Sequence, residues 1–355
     1  MKEIRLMKGN EAIAEAAIRA GVDAYFGYPI TPQSEIMEYL VEHCPANGEM
    51  VVLQAESETA SINMVYGAAS AGRRVMTSSS SPGISLMTEG ISYLAGAELP
   101  CLIVNVSRGG PGLGTIQPSQ SDYFQSTKGG GHGDYRLPVL APDSVQEMAD
   151  FVTLSFDLAF KYRNPVMILT DGVIGQMMEK VELSSPLPRR HTLLPWATTG
   201  KTSDRKSNTI TSLNLDPLKH ERHNQKLQAK YRQMEREDVR YDSYLCEDAE
   251  YIIVAYGASA RVSRKTVELA REKSIKAGLF RPVTLFPFPS GELKITAGKA
   301  KGLLSVEMSA GQMIEDVKLS TECRIPVQHF GRNGGVVHAP EEILEALEKL
   351  IQAGR

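Results

Sequence analysis

From the N-terminus to about residue 185, short β-branched runs alternate with segments of helical periodicity, and that alternation constrains the fold class most. Candidate strands are Ala24–Tyr28, Met50–Leu53, Arg74–Thr77, Cys101–Val106, Leu137–Leu140 and Val166–Thr170. Candidate helices lie between them, near Asn10–Ala20, Pro32–Glu42, Ser57–Ala71, Ile84–Ala97 and Ser144–Tyr162. Strands joined through helices of this length pair in parallel and are covered on both faces, so the expectation is a doubly wound, mostly parallel α/β sheet. A smaller α/β unit follows, with strands at Tyr251–Ala255, Leu279–Phe280, Leu303–Val306 and Val327–Phe330 alternating with three helices. The expected division is residues 1–185, a linker over 186–249, and a second domain over 250–355.

The linker opens on the proline-rich "PLPRRHTLLPW" and a polar stretch, then becomes strongly charged. Leu218, Leu227, Tyr231 and Met234 form a thin apolar set there, which reads as an exposed or subunit-bridging helix. His220 and His223 are three residues apart without a third ligand nearby, so a solvated face is expected and no metal site. A second helix start is marked by Ser144 and Glu147, a Ser-x-x-Glu capping box.

Bulk properties narrow the function. The 355 residues are 42% hydrophobic and 23% charged with net charge −3, which argues against non-specific nucleic-acid binding and gives no membrane cue. No run of about 18 apolar residues is present and the N-terminus lacks a signal-peptide core, so a cytoplasmic protein is expected. Cys44, Cys101, Cys246 and Cys323 are widely spaced, which excludes a local iron–sulfur or zinc cluster and fits a reducing compartment. "YGASAR" matches neither a dinucleotide nor a P-loop fingerprint and reads as packing geometry.

Four strand ends carry the chemistry. Tyr28-Pro29-Ile30-Thr31-Pro32 leaves one strand, and Thr31 as N-cap with Pro32 at the first helical position accounts for it structurally. In "LQAESETASINMVYGAASAG", Glu56 and Glu58 precede a helix whose Ala60, Met64, Gly67, Ala68 and Ala71 share one face suited to close packing. "TSSSSPG", ending at Gly83, leads into a helix N-terminus, where partial positive charge favours anions. Arg108 follows a strand and opens the loop "GGPGLG"; it suits an anion clamp, with a structural ion pair as the alternative. In a parallel sheet all four reach the carboxyl edge, where such sheets bind ligands.

"GYPITPQSE", "QAESETASINMVYGAASAG", "TSSSSPGISLMTEGISYLAGAELP", "SRGGPGLG", "KGGGHGDY" and "YRNPVMILTDG" together resemble the α subunit of 2-oxoacid:ferredoxin oxidoreductases, within that group the branched-chain (2-oxoisovalerate) type. The resemblance covers nearly the whole chain. It implies a pyrimidine-binding domain of the thiamin diphosphate enzymes followed by a transketolase-C-terminal-like domain. It further implies that Glu58, rather than Glu56, hydrogen-bonds N1′ of the aminopyrimidine and assists proton loss from the thiazolium, that Thr31 and Arg108 bind the 2-oxoacid, and that Tyr28, Pro29 and Gly83 lie against the cofactor. The diphosphate and Mg²⁺ are held in such enzymes by a Gly-Asp-Gly segment, which Gly133-Asp134-Tyr135 breaks. The cofactor is therefore expected to be shared with a β subunit carrying the Mg²⁺ site, and [4Fe–4S] clusters to reside on partner subunits, γ and a ferredoxin-like δ. The implied reaction converts a 2-oxoacid and CoA to acyl-CoA and CO₂ with reduction of ferredoxin. Leu113 and the glycines around it favour a branched aliphatic 2-oxoacid such as 3-methyl-2-oxobutanoate; 2-oxoglutarate is the alternative within the family. A scaffold subunit without chemistry is the alternative of another class.

Overall fold

Seven strands make the main sheet, ordered edge to edge Thr284–Phe286, Val139–Leu140, Pro165–Asp171, Cys101–Ser107, Val75–Ser79, Ala24–Gly27, Val51–Gln54. All pairings are parallel except that of Thr284–Phe286 with Val139–Leu140. These coordinates are a computed structural model describing residues 3–44, 49–188, 193–201 and 203–354. Positions 189–192 of the proline-rich exit and 202 of the polar stretch lie outside the described residues. The central strands Val75–Ser79, Cys101–Ser107 and Pro165–Asp171 are buried throughout, as continuous β-branched runs between two helical layers should be. Helices Gly9–Arg19, Ser34–His43, Glu58–Ser70, Ser81–Gly96 and Val145–Tyr162 stand where helical periodicity places them. The doubly wound parallel architecture is thus present as expected.

A second sheet runs Val327–Gly331, Gly302–Glu307, Tyr251–Ala255, Ala277–Pro282, Tyr241–Tyr244, parallel except for the last strand. Two elements cross the division read from sequence. Tyr241–Tyr244, inside the expected linker, edges the second sheet, and Thr284–Phe286, from the second half of the chain, edges the first. A further two-stranded ribbon pairs Glu3–Lys8 with Met178–Leu183, where only a charged start was anticipated. Its partners are about 170 residues apart, so no local pattern announces the pairing.

Helix Pro217–Glu237 is the charged segment of the linker. Asp216 caps it, Oδ1 accepting from the Leu218 and Lys219 amides at 3.0 and 3.2 Å. Leu227, Tyr231 and Met234 are buried, whereas Leu218, read as part of the apolar set, is 63% exposed because it sits in the first turn, clear of the domain. His223 does not face solvent: its Nε2 lies 2.7 Å from the Gly96 carbonyl, and Lys226 reaches Glu98 at 2.5 Å. The helix is docked on the main domain rather than free.

Polar contacts tie the two sheets. The Ser144 hydroxyl caps Val145–Tyr162 through the Glu147 amide, as the capping box predicts. The Glu147 carboxylate is also gripped by Arg281 through two 2.7 Å bonds, with Asp143 at 3.2 Å. Burial pushes the Asp143 carboxyl up, while Glu147, although desolvated, is held down by the guanidinium. Gln120, 2% exposed, bridges the domains with every polar group: its amide N and O exchange with Met308 and the Tyr256 hydroxyl, Oε1 accepts from Met308 N and the Ser259 hydroxyl, and Nε2 donates to the Tyr256 carbonyl.

Arg281→Met should lower the unfolding free energy by about 2–4 kcal/mol, because it strands Glu147 without its cation. Urea titration at neutral pH checks this, and Arg281→Met/Glu147→Leu should recover most of the loss.

Candidate active site

The strand order 101–107, 75–79, 24–27, 51–54 reverses direction of progression between Ala24–Gly27 and Val75–Ser79, which opens a crevice at the carboxyl edge. The loops bearing Thr31, Glu58, Gly83 and Arg108 leave these four adjacent strands. Parallelism sends all of them to one rim.

Thr31 is exposed in a turn closed by the Gln33 amide on the Ile30 carbonyl, 3.1 Å. It is not the N-cap: the helix begins at Ser34 after Gln33, because the turn consumes Thr31 and Pro32. A buried chain fixes the turn from beneath. Tyr25 and Ser78 share a 2.8 Å hydroxyl contact, Ser78 donates to Gln33 Oε1, and Gln33 Nε2 donates to the Tyr28 carbonyl at 3.1 Å. Pro29 stays exposed beside it.

Glu58 occupies the first position of helix Glu58–Ser70, with Ser57 as the cap accepting from the Ala60 amide. It is 6% exposed, yet among the described residues nothing hydrogen-bonds its carboxylate. Glu56, its neighbour, is exposed. Gly83 explains how the carboxylate fits: a Cβ there would stand 2.6 Å from Glu58 Oε1 and 2.0 Å from Ser79 Oγ. The Ser79 and Ser80 hydroxyls next to it are buried and unpartnered. A buried carboxylate without a partner, set against a bare glycine, suits a flat heteroaromatic ring offering an N–H. The small-residue face of this helix turns outward: Met64 is 37% exposed and Gly67 has nothing within 4 Å. The packed side is Ile62, Val65 and Ala69 instead, so close packing by the stripe awaits another surface.

Arg108 is 7% exposed and has no carboxylate partner among the described residues. Its Nη1 donates to the Thr31 carbonyl at 3.0 Å and Nη2 to the Leu113 carbonyl at 3.2 Å, while Nε is buried and unpartnered. It is therefore not a structural ion pair. The backbone amide of Arg108 donates to the Ser81 hydroxyl at 2.9 Å, two residues before Gly83. Thr31 and Arg108 are thus in direct contact, as are Glu58 and Gly83, with Ser81 linking the two groups.

A cleft of about 470 Å³ opens beside Arg108, walled by the main domain (Ser81, Gly110, Asp122) and by the second (Met308, Gln312, Asn333). Arg108 is the single cation among the described residues lining it. Asp122, which sequence reasoning passed over, is buried there; Asn105 donates to it at 2.8 Å and burial pushes its carboxyl up. Ser81 and Gln120 were missed as well. A lone Asp in "QPSQSDY" carries no spacing signal, and Ser81 lies inside a stretch that reads simply as a helix start.

Among the described residues no group of three or more His, Cys, Asp or Glu could hold a metal ion. "KGGGHGDY" folds as a loop of successive bends in which the Tyr135 hydroxyl accepts from the Gly130 and Gly131 amides at 3.3 and 3.1 Å, and Asp134 is exposed. No described helix is long and apolar enough to cross a membrane.

Residues 15–243 match the family model described as pyruvate flavodoxin/ferredoxin oxidoreductase, thiamine diphosphate-binding, and residues 249–343 that of pyruvate:ferredoxin oxidoreductase core domain II. The chain is 51% identical over 346 residues to the ketoisovalerate oxidoreductase subunit VorB of Methanothermobacter thermautotrophicus, covering 98% of this chain and 97% of that one. It is 37% identical to the 2-oxoglutarate synthase subunit KorA of the same organism, covering 99% and 100%. A solved 2-oxoglutarate:ferredoxin oxidoreductase from Magnetococcus marinus, with 2-oxoglutarate, coenzyme A and succinyl-CoA bound, superposes with a TM-score of 0.85 at 28% identity, covering 99% of this chain and 66% of that one. A split-gene transketolase shares the fold, with a TM-score of 0.62 at 13% identity over 98% and 99% of the chains.

Gly83→Ala should destabilise the chain by about 1–3 kcal/mol, the scale of overpacking a closed site, since neither the Glu58 carboxylate nor Ser79 can yield freely. Gly67→Ala, with open space around it, should leave stability unchanged or slightly higher. Thermal melts of the two variants check the contrast.

Proposed function

Because the chain belongs to the 2-oxoacid:ferredoxin oxidoreductases, the family matched by its thiamine diphosphate-binding and core-II segments, we propose that it is the α subunit of the branched-chain type. The reaction is 3-methyl-2-oxobutanoate + CoA + 2 oxidised ferredoxin → 2-methylpropanoyl-CoA + CO₂ + 2 reduced ferredoxin + H⁺. The observation that carries this reading is Arg108: a buried guanidinium without a counter-ion, beside a cleft whose described lining holds no second cation. One cation serves one carboxylate. The distal carboxylate of 2-oxoglutarate would meet no cation there and would face Asp122. Outside that lining, the loop closing on Arg108 exposes aliphatic side chains, Leu113 at 79% and Ile116 at 56%. Identity of 51% to a ketoisovalerate subunit against 37% to a 2-oxoglutarate subunit points the same way.

Each site residue has a task its surroundings suit. Arg108 and Thr31 receive the 2-oxoacid, the guanidinium through its free Nε edge and Thr31 through its exposed side chain. Glu58, whose carboxylate fills the space that a Cβ on Gly83 would take, meets the aminopyrimidine and holds a proton at N1′, with Tyr28, Pro29 and Gly83 beside the ring. Thiamin diphosphate, when bound, supplies the carbanion chemistry that releases CO₂. The chain's own contribution is to orient the substrate and to hold a proton where the cofactor needs one. Asp134 lies exposed in a glycine-rich loop whose Gly133-Asp134-Tyr135 breaks the Gly-Asp-Gly pattern, which supports assigning the diphosphate and Mg²⁺ to a β subunit. Partner subunits, with a γ and a ferredoxin-like δ among them, carry the [4Fe–4S] clusters that take electrons to ferredoxin. The outward face of helices Glu58–Ser70 and Ser81–Gly96, with Met64, Leu86 and Tyr93 exposed, is the surface suited to the β subunit.

In the co-purified complex, Glu58→Gln should cut turnover by roughly 10²-fold while assembly persists; near-normal turnover would remove Glu58 from the reaction. An anaerobic panel of 2-oxoacids should rank 3-methyl-2-oxobutanoate above 2-oxoglutarate, and the opposite order would reassign the substrate. Titration calorimetry on the isolated chain should show weak thiamin diphosphate binding that Mg²⁺ does not tighten; tight Mg²⁺-dependent binding would contradict the divided site.

A further inference from the structure

The loop that closes on Arg108 is held from outside by the second domain. Within the loop, the Gly109 amide donates to the Gln117 carbonyl at 3.0 Å and the Thr115 amide to the Gly109 carbonyl at 2.8 Å. Arg108 Nη2 holds the Leu113 carbonyl from the inner side. The outer side meets a turn, residues 332–335, that follows strand Val327–Gly331 of the second sheet. Here side chains of the loop, Gln117 and Thr115, press on the backbone of the turn. A Cβ on Gly335 would lie 2.2 Å from the Gln117 Cβ, and one on Gly109 would lie 3.2 Å from Gly334 C and Gly335 N. Gly334, next in line, has a similarly left-handed φ (+68° against +95° for Gly335) but nothing within 4 Å of its Cβ position. Conformation alone accounts for a glycine at 334; only at 335 does a neighbouring chain also demand one.

We propose that Gly335 of the second domain is a positioning residue for substrate selection: its bare Cα lets the 332–335 turn seat the Gln117 edge of the Arg108 loop, and so sets where Leu113 and Ile116 stand relative to the guanidinium. The proposal rests on the reading that Arg108 receives the 2-oxoacid carboxylate. On that reading, the aliphatic side chains must stand at a fixed separation from Arg108 to select one 2-oxoacid side chain over another. The loop is glycine-rich, with left-handed backbone at Gly112 and Gly114, so it has little stiffness of its own. Its register must come from contacts at its base, and Gly335 supplies one from the second domain, next to the bonds that Ser119 and Gln120 give to the Met308 carbonyl. A displacement of about 1 Å at such a site is worth up to 10²-fold in rate or affinity.

The test uses the assembled complex, with 3-methyl-2-oxobutanoate and pyruvate as paired substrates. Gly335→Ala should raise KM for 3-methyl-2-oxobutanoate about tenfold with kcat within about twofold, and should erode its preference over pyruvate. Gly200→Ala imposes the left-handed backbone penalty with nothing within 4 Å, away from the cleft whose lining includes Gly334, and should leave KM and preference unchanged. Gln117→Gly, which opens the contact, should raise KM a few-fold. Gly335→Ala/Gln117→Gly, which refills it, should lie closer to the parent enzyme than either single variant. Equal effects of Gly200→Ala and Gly335→Ala, or lost melting temperature and kcat with KM and preference unmoved, would overturn the proposal. If Gly335→Ala does not assemble, Gln117→Gly decides alone: unaltered KM and preference overturn it. Failure of the branched-chain assignment shows separately, as a parent complex preferring another 2-oxoacid; the same variants are then compared on that substrate.

Discussion

Gln120 engages each of its backbone and side-chain polar groups across the seam between the two sheets, and the cleft lies beside that seam. Its side chain takes the Met308 amide and the Ser259 hydroxyl on one oxygen and gives its nitrogen to the Tyr256 carbonyl. Its backbone pairs with Met308 and the Tyr256 hydroxyl. A buried amide satisfied this fully tolerates little displacement, because any shift leaves a polar group unpaired at a cost of about 1–3 kcal/mol. Arg281 with Glu147 and Asp143 supplies a second tie, and strand Thr284–Phe286 a third. With the seam held at three places, the second domain serves as a wall of the site rather than an appendage.

Against this rigid frame stand two incompletely satisfied charges. Arg108 has carbonyls but no anion, and Glu58 has burial but no donor among the described residues. Both states are costly in a finished interior and make sense where a ligand completes them. Hydrogen bonds hold the frame beneath them: Tyr25, Ser78 and Gln33 fix the Thr31 turn from below, and Ser81 ties Arg108 to the helix that presents Gly83. Order in the support and deficiency at the rim together mark the site.

The outward small-residue face of helix Glu58–Ser70 carries the same logic to the molecular surface. Its period suits close helix packing, yet the described chain packs the opposite side, through Ile62 and Val65. That face is smooth enough for close approach and lies beside the unsatisfied carboxylate of Glu58.

By itself the sequence determined the parallel sheet, its helices, and the four strand ends that carry Thr31, Glu58, Gly83 and Arg108, because these are written in local periodicity and in parallel connection rules. The strand-to-helix junctions need no distant information: a β-branched run followed by a helical stripe sends its loop to the carboxyl edge wherever the strand sits in the order. What only the tertiary structure decided are the relations between distant residues. The Glu3–Lys8 ribbon, the Thr284–Phe286 edge strand, the Gln120 seam and the Gly335 contact each join segments far apart in the chain, and a single Gln or Gly has no pattern from which such a partner can be read. The Thr31 turn shows the limit at short range: a Thr-Pro pair suits an N-cap equally well, and the buried Tyr25–Ser78–Gln33 chain, assembled from two strands, settled it as a turn.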